Sequence, residues 1–378
     1  MKKGLHLFVC FVILLFAFTG CNKKADEDKA GEKTKRIGIS MPTKMQERWQ
    51  KDARYLKTEF EKEGYSVVIS YADNIVERQI EQIKKLIANK VDVLIIAAID
   101  GESLSSVMKR AKKEEIPVIC YERMIRNTDA VSYYVSFDNY KVGKLHARHI
   151  VEALELYEAG KKSYTMEILA GDPADSNAHL LYKGAMSILQ KYIDNGNLVI
   201  PSGQVEFQDV GIEGWDTAKA LNRMEYLLDY YYIYGKNKLD ICYCANDSIA
   251  RGVAQAVNAG YMGSNTPVIT GQDGDQENLE KLIDGKQSMT VYKPLKDEAS
   301  VTVELVRQII KGNSPGKEIC KKFAFDAKYD KDSYDNGVIT VPSYLLSPLL
   351  VTRDNYKSVL IDSGYYKEDE NGYLQAVE

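Results

Sequence analysis

Beyond residue 35 the apolar positions of this chain switch repeatedly between short continuous runs and a spacing near 3.6. Residues 37–41 form a first apolar run, after which Trp49, Ala53, Leu56 and Phe60 recur at helical spacing as far as Gly64. The pattern then predicts a strand over 66–72 and a helix carrying Ile80, Ile83 and Ile87. The run over 91–99 is so continuously apolar that it should be a central strand buried on both faces. A helix over 103–115 and a strand over 116–121 follow. Residues 133–138 lead into another helix, and a second series begins: strand 164–169, helix 177–193, strand 197–200, helix 215–234, strand 239–244, helix 249–259 and strand 268–270. A helix over 296–311 precedes mixed, strand-like segments. Strands alternating with helices imply parallel sheets, and two such series imply two doubly wound α/β lobes.

The amino terminus breaks this pattern. Lys2 and Lys3 precede an apolar run over 5–18, too short for a membrane span and suited to a signal peptide. It ends in Phe18-Thr19-Gly20-Cys21, which resembles the lipobox of bacterial lipoproteins, with Phe18 where leucine is usual. Residues 1–20 are therefore expected to be removed, Cys21 to be lipidated, and 21–35, with no large apolar side chain, to act as a flexible tether.

Composition mainly excludes. With 378 residues, 45% of them hydrophobic, the chain can build more than one domain. Fifty basic against 54 acidic residues offer no polycation for a nucleic-acid backbone. The sequence holds no phosphate loop, dinucleotide fingerprint, nucleophile elbow or HExxH motif. His146 and His149, three apart, read as a solvated or interlobe helix face, so neither metal nor cofactor is expected. Cys120, Cys242, Cys244 and Cys320 lie in or beside apolar runs; Cys242 and Cys244, two apart, share a strand face and are expected as buried free thiols.

Chemistry gathers just after the strands, where ligands bind in open parallel sheets. The segment 267–294 reads as strand, polar turn, helix and strand, with Gln272 and Asp273 beyond one strand and Lys293 ending the next. Lys44, Arg48 and Trp49 follow the first strand, Asp100 the third, and Glu122 and Arg123 the fourth. Asp138 and Asn139 lie between the two series. Asp172, Asp175, Asn177, Gln208, Trp215, Asn246 and Asp247 occupy the corresponding positions of the second series. Helix caps explain some of these, Asp247, Asn177 and Asp100 above all. Both tryptophans of the chain belong to the set, one in each series, either as helix-start core residues or as flat faces for a pyranose ring ringed by polar groups.

The motifs Met41-Pro42-Thr43-Lys44, Arg48-Trp49, Tyr121-Glu122-Arg123, Ser136-Phe137-Asp138-Asn139, Asp175-Ser176-Asn177, Thr270-Gly271-Gln272-Asp273, Val291-Tyr292-Lys293-Pro294, Val341-Pro342-Ser343-Tyr344 and Gly364-Tyr365-Tyr366 resemble the multiple-monosaccharide and xylose-binding proteins of bacterial sugar ABC transporters. The likeness covers nearly all of 36–368. It implies a type I periplasmic-binding-protein fold: two Rossmann-like lobes joined by a three-crossing hinge, with residues 36–138 plus about 274–325 in the first lobe and about 139–273 plus 326–378 in the second. It also implies sugar contacts at Lys44, Arg48, Trp49, Glu122, Arg123, Asp175, Asn177, Trp215, Asp247, Gln272, Asp273 and Lys293. Glu122 stands where the family usually has Asp, and Asp172 where Ser is common, which leaves pentose or hexose preference open. The resulting expectation is a monomeric, lipid-anchored receptor on the outer face of the cell membrane that hands a monosaccharide to an ABC permease. A sensing role, docked on a chemoreceptor or sensor kinase, is the alternative; a repressor lacks its DNA-binding helices here, and a glycosidase lacks an isolated acid and nucleophile.

Overall fold

A computed structural model describes residues 34–377 except 159, 161, 234–236 and 371. The expected signal peptide, Cys21 and nearly all of the tether lie outside the described residues.

The first series runs β1 (Arg36–Met41), α1 (Glu47–Lys62), β2 (Ser66–Tyr71), α2 (Val76–Ala88), β3 (Val93–Ile96), α3 (Ser105–Lys113), β4 (Val118–Tyr121) and β5 (Val131–Phe137). The second runs α4 (Asn139–Ala153), β6 (Tyr164–Leu169), α5 (Ser176–Asp194), β7 (Leu198–Val199), a short α6 (Phe207–Val210), α7 (Thr217–Tyr231), β8 (Ile241–Cys244), α8 (Asp247–Gly260), β9 (Val268–Ile269), α9 (Gln276–Ile283) and β10 (Met289–Tyr292). Then come α10 (Leu295–Ile310), β11 (Ala327–Asp330), β12 (Ser343–Leu346), β13 (Leu349–Thr352) and the hairpin β14 (Tyr366–Glu368) and β15 (Leu374–Ala376).

One seven-stranded sheet has the order β11-β12-β5-β4-β3-β1-β2, all parallel except β11. As the apolar run requires, every residue of β3 is buried, because helices cover both faces. The second sheet, β7-β6-β8-β9, is parallel, and a parallel bridge from Gln272 to Val291 continues it to β10, which pairs antiparallel with β13. A separate apolar cluster of Leu279, Leu282, Tyr292, Val351, Leu360, Tyr366 and Leu374 seats the carboxyl-terminal segment on α9.

These pairings correct the expected division of the chain. Residues 327–346 belong to the first sheet and not the second, since β12 pairs with β5 in the register Ser343 to Tyr134. Residues 274–292 go with the second, where Met289 and Val291 join its core. The chain passes between the lobes three times, at Asp138, at Lys293-Pro294 and at Ser347-Pro348. The first and third crossings touch, Asp138 N donating to Leu346 O at 3.2 Å.

Helices α4 and α5 pack closely against each other in the second lobe. A β-carbon at Gly143 would stand 1.9 Å from Leu181 O, and one at Gly184 2.1 Å from Tyr140 O, so only glycine permits the crossing. His146 is fully buried on α4, its ring 5.5 Å from that of Tyr243, which corrects the expectation of a solvated face. Desolvation, aided by His149 and Lys293, depresses His146 to about 3, and desolvation depresses His149 to about 4. Both values lie below the ordinary 6.5, so the unfolded chain takes up these protons first, and the stability present above about pH 6.5 drains away as pH falls toward 4 for His149 and toward 3 for His146. At pH 5 His146 alone should account for about 2 kcal/mol. His146→Phe should shrink the difference in urea midpoint between pH 7 and pH 5; an unchanged difference would clear His146 of the effect. Cys120, Cys242 and Cys244 are buried free thiols, whereas Cys320 is half-buried.

Candidate ligand site

The two rims face each other across a narrow, polar-lined space. The first lobe supplies Gln46, Arg48 and Trp49 from the start of α1, and Glu122 and Arg123 just past β4. Asn139 and Lys293 enter from two of the crossings. The second lobe supplies Asp175, Asn177 and Leu181 from α5 and its cap, Trp215, and Asn246, Gln272 and Asp273 beyond β8 and β9. Ten of the residues expected from the sequence, Arg48, Trp49, Glu122, Arg123, Asp175, Asn177, Trp215, Gln272, Asp273 and Lys293, thus come together.

Lys44 and Asp247 do not line this space. Lys44 is exposed, its ammonium 5.0 Å from the centre of the Tyr71 ring. Asp247 is fully buried beneath the floor, accepting from Gln287 Nε2 at 2.9 Å, Thr290 Oγ1 at 3.1 Å and Asp275 N at 2.9 Å. It fixes the turn that carries Asp273. Of the wider rim set, Asp138 caps α4, Asp100 and Asp172 close turns at Glu102 and Ala174, and Gln208 is exposed. Leu181 follows no strand, and Gln46, between Lys44 and Arg48 in the stretch after β1, stands where a helix cap is expected, so neither belongs to the rim set, whereas Asn139 and Asn246 do.

Charge organises the space. Glu122 Oε1 lies 3.0 Å from Lys293 Nζ and 3.2 Å from Arg48 Nη1. Arg48 also reaches Asp273 Oδ1 at 3.3 Å and Asp52 Oδ2 at 3.3 Å, while Arg123 Nε meets Asp175 Oδ2 at 2.9 Å. Asn177 Nδ2 donates to Glu122 O at 2.7 Å, and Asn246 Nδ2 to Asp273 Oδ2 at 3.3 Å. First-lobe and second-lobe groups are therefore bonded directly across the cleft. Desolvation would raise Glu122, but Lys293, Arg48 and Arg123 outweigh it and hold its carboxyl at about 2. Asp175 is raised by desolvation, which Arg123 only partly offsets. Behind Arg48, burial pushes Asp52 to about 6, against the pull of Arg48 and the Tyr121 hydroxyl 2.6 Å away.

Three of the lining residues hold left-handed backbones, Glu122 at φ 62°, Trp215 at φ 55° and Asp273 at φ 102°. Each costs on the order of 1–3 kcal/mol, and such costs concentrate at functional sites. Trp215 fits because Gly171 lies beneath it: a β-carbon there would stand 2.1 Å from the indole. The Trp49 ring is flanked by the guanidinium carbons of Arg48 and Arg123, 4.5 and 5.0 Å from its centre. Among the described residues Trp215 Nε1 and Gln272 Oε1, both in the lining, are buried with no hydrogen-bond partner. A ligand rich in hydroxyl groups can satisfy a donor and an acceptor of this kind.

The periplasmic binding protein domain model matches residues 37–314. The multiple sugar-binding periplasmic receptor ChvE of Rhizobium radiobacter is 40% identical over 337 residues, 88% of this chain and 91% of that one. The D-xylose-binding periplasmic protein of Escherichia coli K12 is 34% identical over 368 residues, covering 97% and 99%. An ABC transporter solute-binding protein from Clostridium phytofermentans, solved with bound β-D-glucose, superposes with a TM-score of 0.82 at 45% identity, covering 89% of this chain and 99% of that one. The matched residues take in both strand–helix series, and the chain belongs to the periplasmic binding protein family.

Proposed function

We propose that this protein is an extracytoplasmic, lipid-anchored receptor that captures a monosaccharide, an aldopyranose such as xylose, glucose or galactose, and presents it to an ABC permease. One observation carries the reading: residues of both lobes enclose a small polar space that holds one tryptophan from each. An indole face suits the C–H surface of a pyranose, while Arg48, Arg123, Asp175, Asn177, Gln272 and Lys293 offer donors and acceptors to its hydroxyls. The relatives support the ligand class, since their names and bound ligands are sugars. Binding proceeds without chemistry. Glu122 is held ionised by three cations, and Asp175, though raised by burial, is tied up in an ion pair with Arg123, so neither is the free acid that glycoside hydrolysis requires.

Thermal unfolding in the presence of xylose, glucose, galactose, arabinose, ribose and fucose tests this. A sugar at 100 times its dissociation constant stabilises by about 2.7 kcal/mol, so at least one should raise Tm clearly; six flat results would remove the sugar reading. The anchor is tested separately. Wild-type protein should sediment with membranes, and Cys21→Ala should be released or remain uncleaved; a Cys21→Ala protein that is still processed and membrane-bound would refute lipidation.

A further inference from the structure

Gln46 occupies the N-cap position of α1, yet its side chain makes no capping bond. Both of its polar atoms are engaged elsewhere. Its Oε1 accepts from Trp49 Nε1 at 2.6 Å within the first lobe, and its Nε2 donates to Gly214 O at 3.3 Å in the second. Gly214 at φ 71° and Trp215 at φ 55° form consecutive left-handed residues, a turn held in one sparsely populated shape. The lips meet here, for a β-carbon at Gly214 would stand 3.9 Å from Asn74 Nδ2 of the first lobe.

We propose that Gln46 is a positioning residue that links the two tryptophan-bearing segments across the cleft and so slows its reopening. The oxygen fixes the rotation of the Trp49 indole in either state of the cleft. The amide donor finds the Gly214 carbonyl only when the lobes are together, so this bond exists in the closed form alone. Bonds present in one state and absent from the other are what shift an equilibrium between them. An asymmetric side chain is required, an acceptor toward the indole and a donor toward the carbonyl, which glutamine supplies and glutamate does not. The inference concerns closure itself and rests on the proposed sugar only for its kinetic readout.

Gln46→Glu keeps the acceptor for Trp49 and loses the donor to Gly214; Gln46→Ala loses both. With any sugar that binds, Gln46→Glu should raise the dissociation rate about threefold to tenfold with the association rate unchanged. Fluorophores or spin labels at Glu77→Cys and Ala218→Cys, exposed positions one in each lobe, report the cleft without any ligand. In ligand-free protein both Gln46 variants should populate the short-distance state less than wild type. Gln46→Ala alone should also shift the emission of Trp49, measured with Trp215→Phe as background. Unchanged distance distributions in both variants would overturn the proposal even if no tested sugar binds. A sugar that binds and leaves Gln46→Glu at the wild-type rate would overturn it while the receptor reading stands.

Discussion

Glu122→Ala should lose about 3–5 kcal/mol of stability in urea unfolding at pH 7, the loss expected when one member of a buried ion pair is removed. Glu122 is 4% exposed and serves as the shared anion of Lys293, Arg48 and Arg123. Arg48 keeps Asp52 and Asp273, and Arg123 keeps Asp175, but Lys293, 1% exposed, is left with the amide of Asn139 at 3.0 Å. Most of the loss therefore belongs to one stranded ammonium. Lys293→Met introduced together with Glu122→Ala should recover a large part of it, because the pair is then absent and not half-present. The pH dependence has a fixed sign. The Glu122 carboxyl is depressed from its ordinary value near 4.5 to about 2, so its contribution is complete above the unfolded value and lost as pH falls toward 2. If the single variant loses no more than a surface substitution, the network around Glu122 does not hold the crossings together.

Trp215→Ala should weaken sugar binding by about thirtyfold or more, roughly 2 kcal/mol, because a desolvated stacking face disappears. Trp215 is 5% exposed, lies on Gly171 and has an unpartnered indole N–H among the described residues. Trp215→Phe keeps an aromatic face without the donor and should fall between the two. Trp49→Ala should match or exceed the loss, since it also removes the surface on which Arg48 and Arg123 rest. Wild-type affinity in both alanine variants, measured by calorimetry, would return the tryptophans to the core.

Much of this was legible in the sequence. The continuous apolar run gave β3, and the rim rule brought ten side chains to one space, because a residue just past a parallel strand faces the crevice wherever the chain emerges. The same rule could not tell direction. Asp247 follows β8 as Asn246 does, but the helix start turns one carboxylate under the floor and leaves the other side chain at the surface of the space. Lys44 follows β1 and points outward. The lobe boundary was misplaced because two crossings, Lys293-Pro294 and Ser347-Pro348, look like ordinary loops, and because β11 and β12 carry no intervening helix to mark the sheet they join. The position of Gln46 reads as a helix cap in the sequence, whereas in the fold both its polar atoms are committed elsewhere, to Trp49 and Gly214.

The most direct test of a sugar held by both lobes at once is small-angle scattering with and without a saturating aldopyranose. Ligand that contacts both rims favours the closed form, so the radius of gyration should fall on adding sugar. At the same concentration it should fall less in Asn177→Ala, which lacks a second-lobe contact. An unchanged radius at saturating sugar, with Asn177→Ala binding as tightly as wild type, would contradict capture between closing lobes.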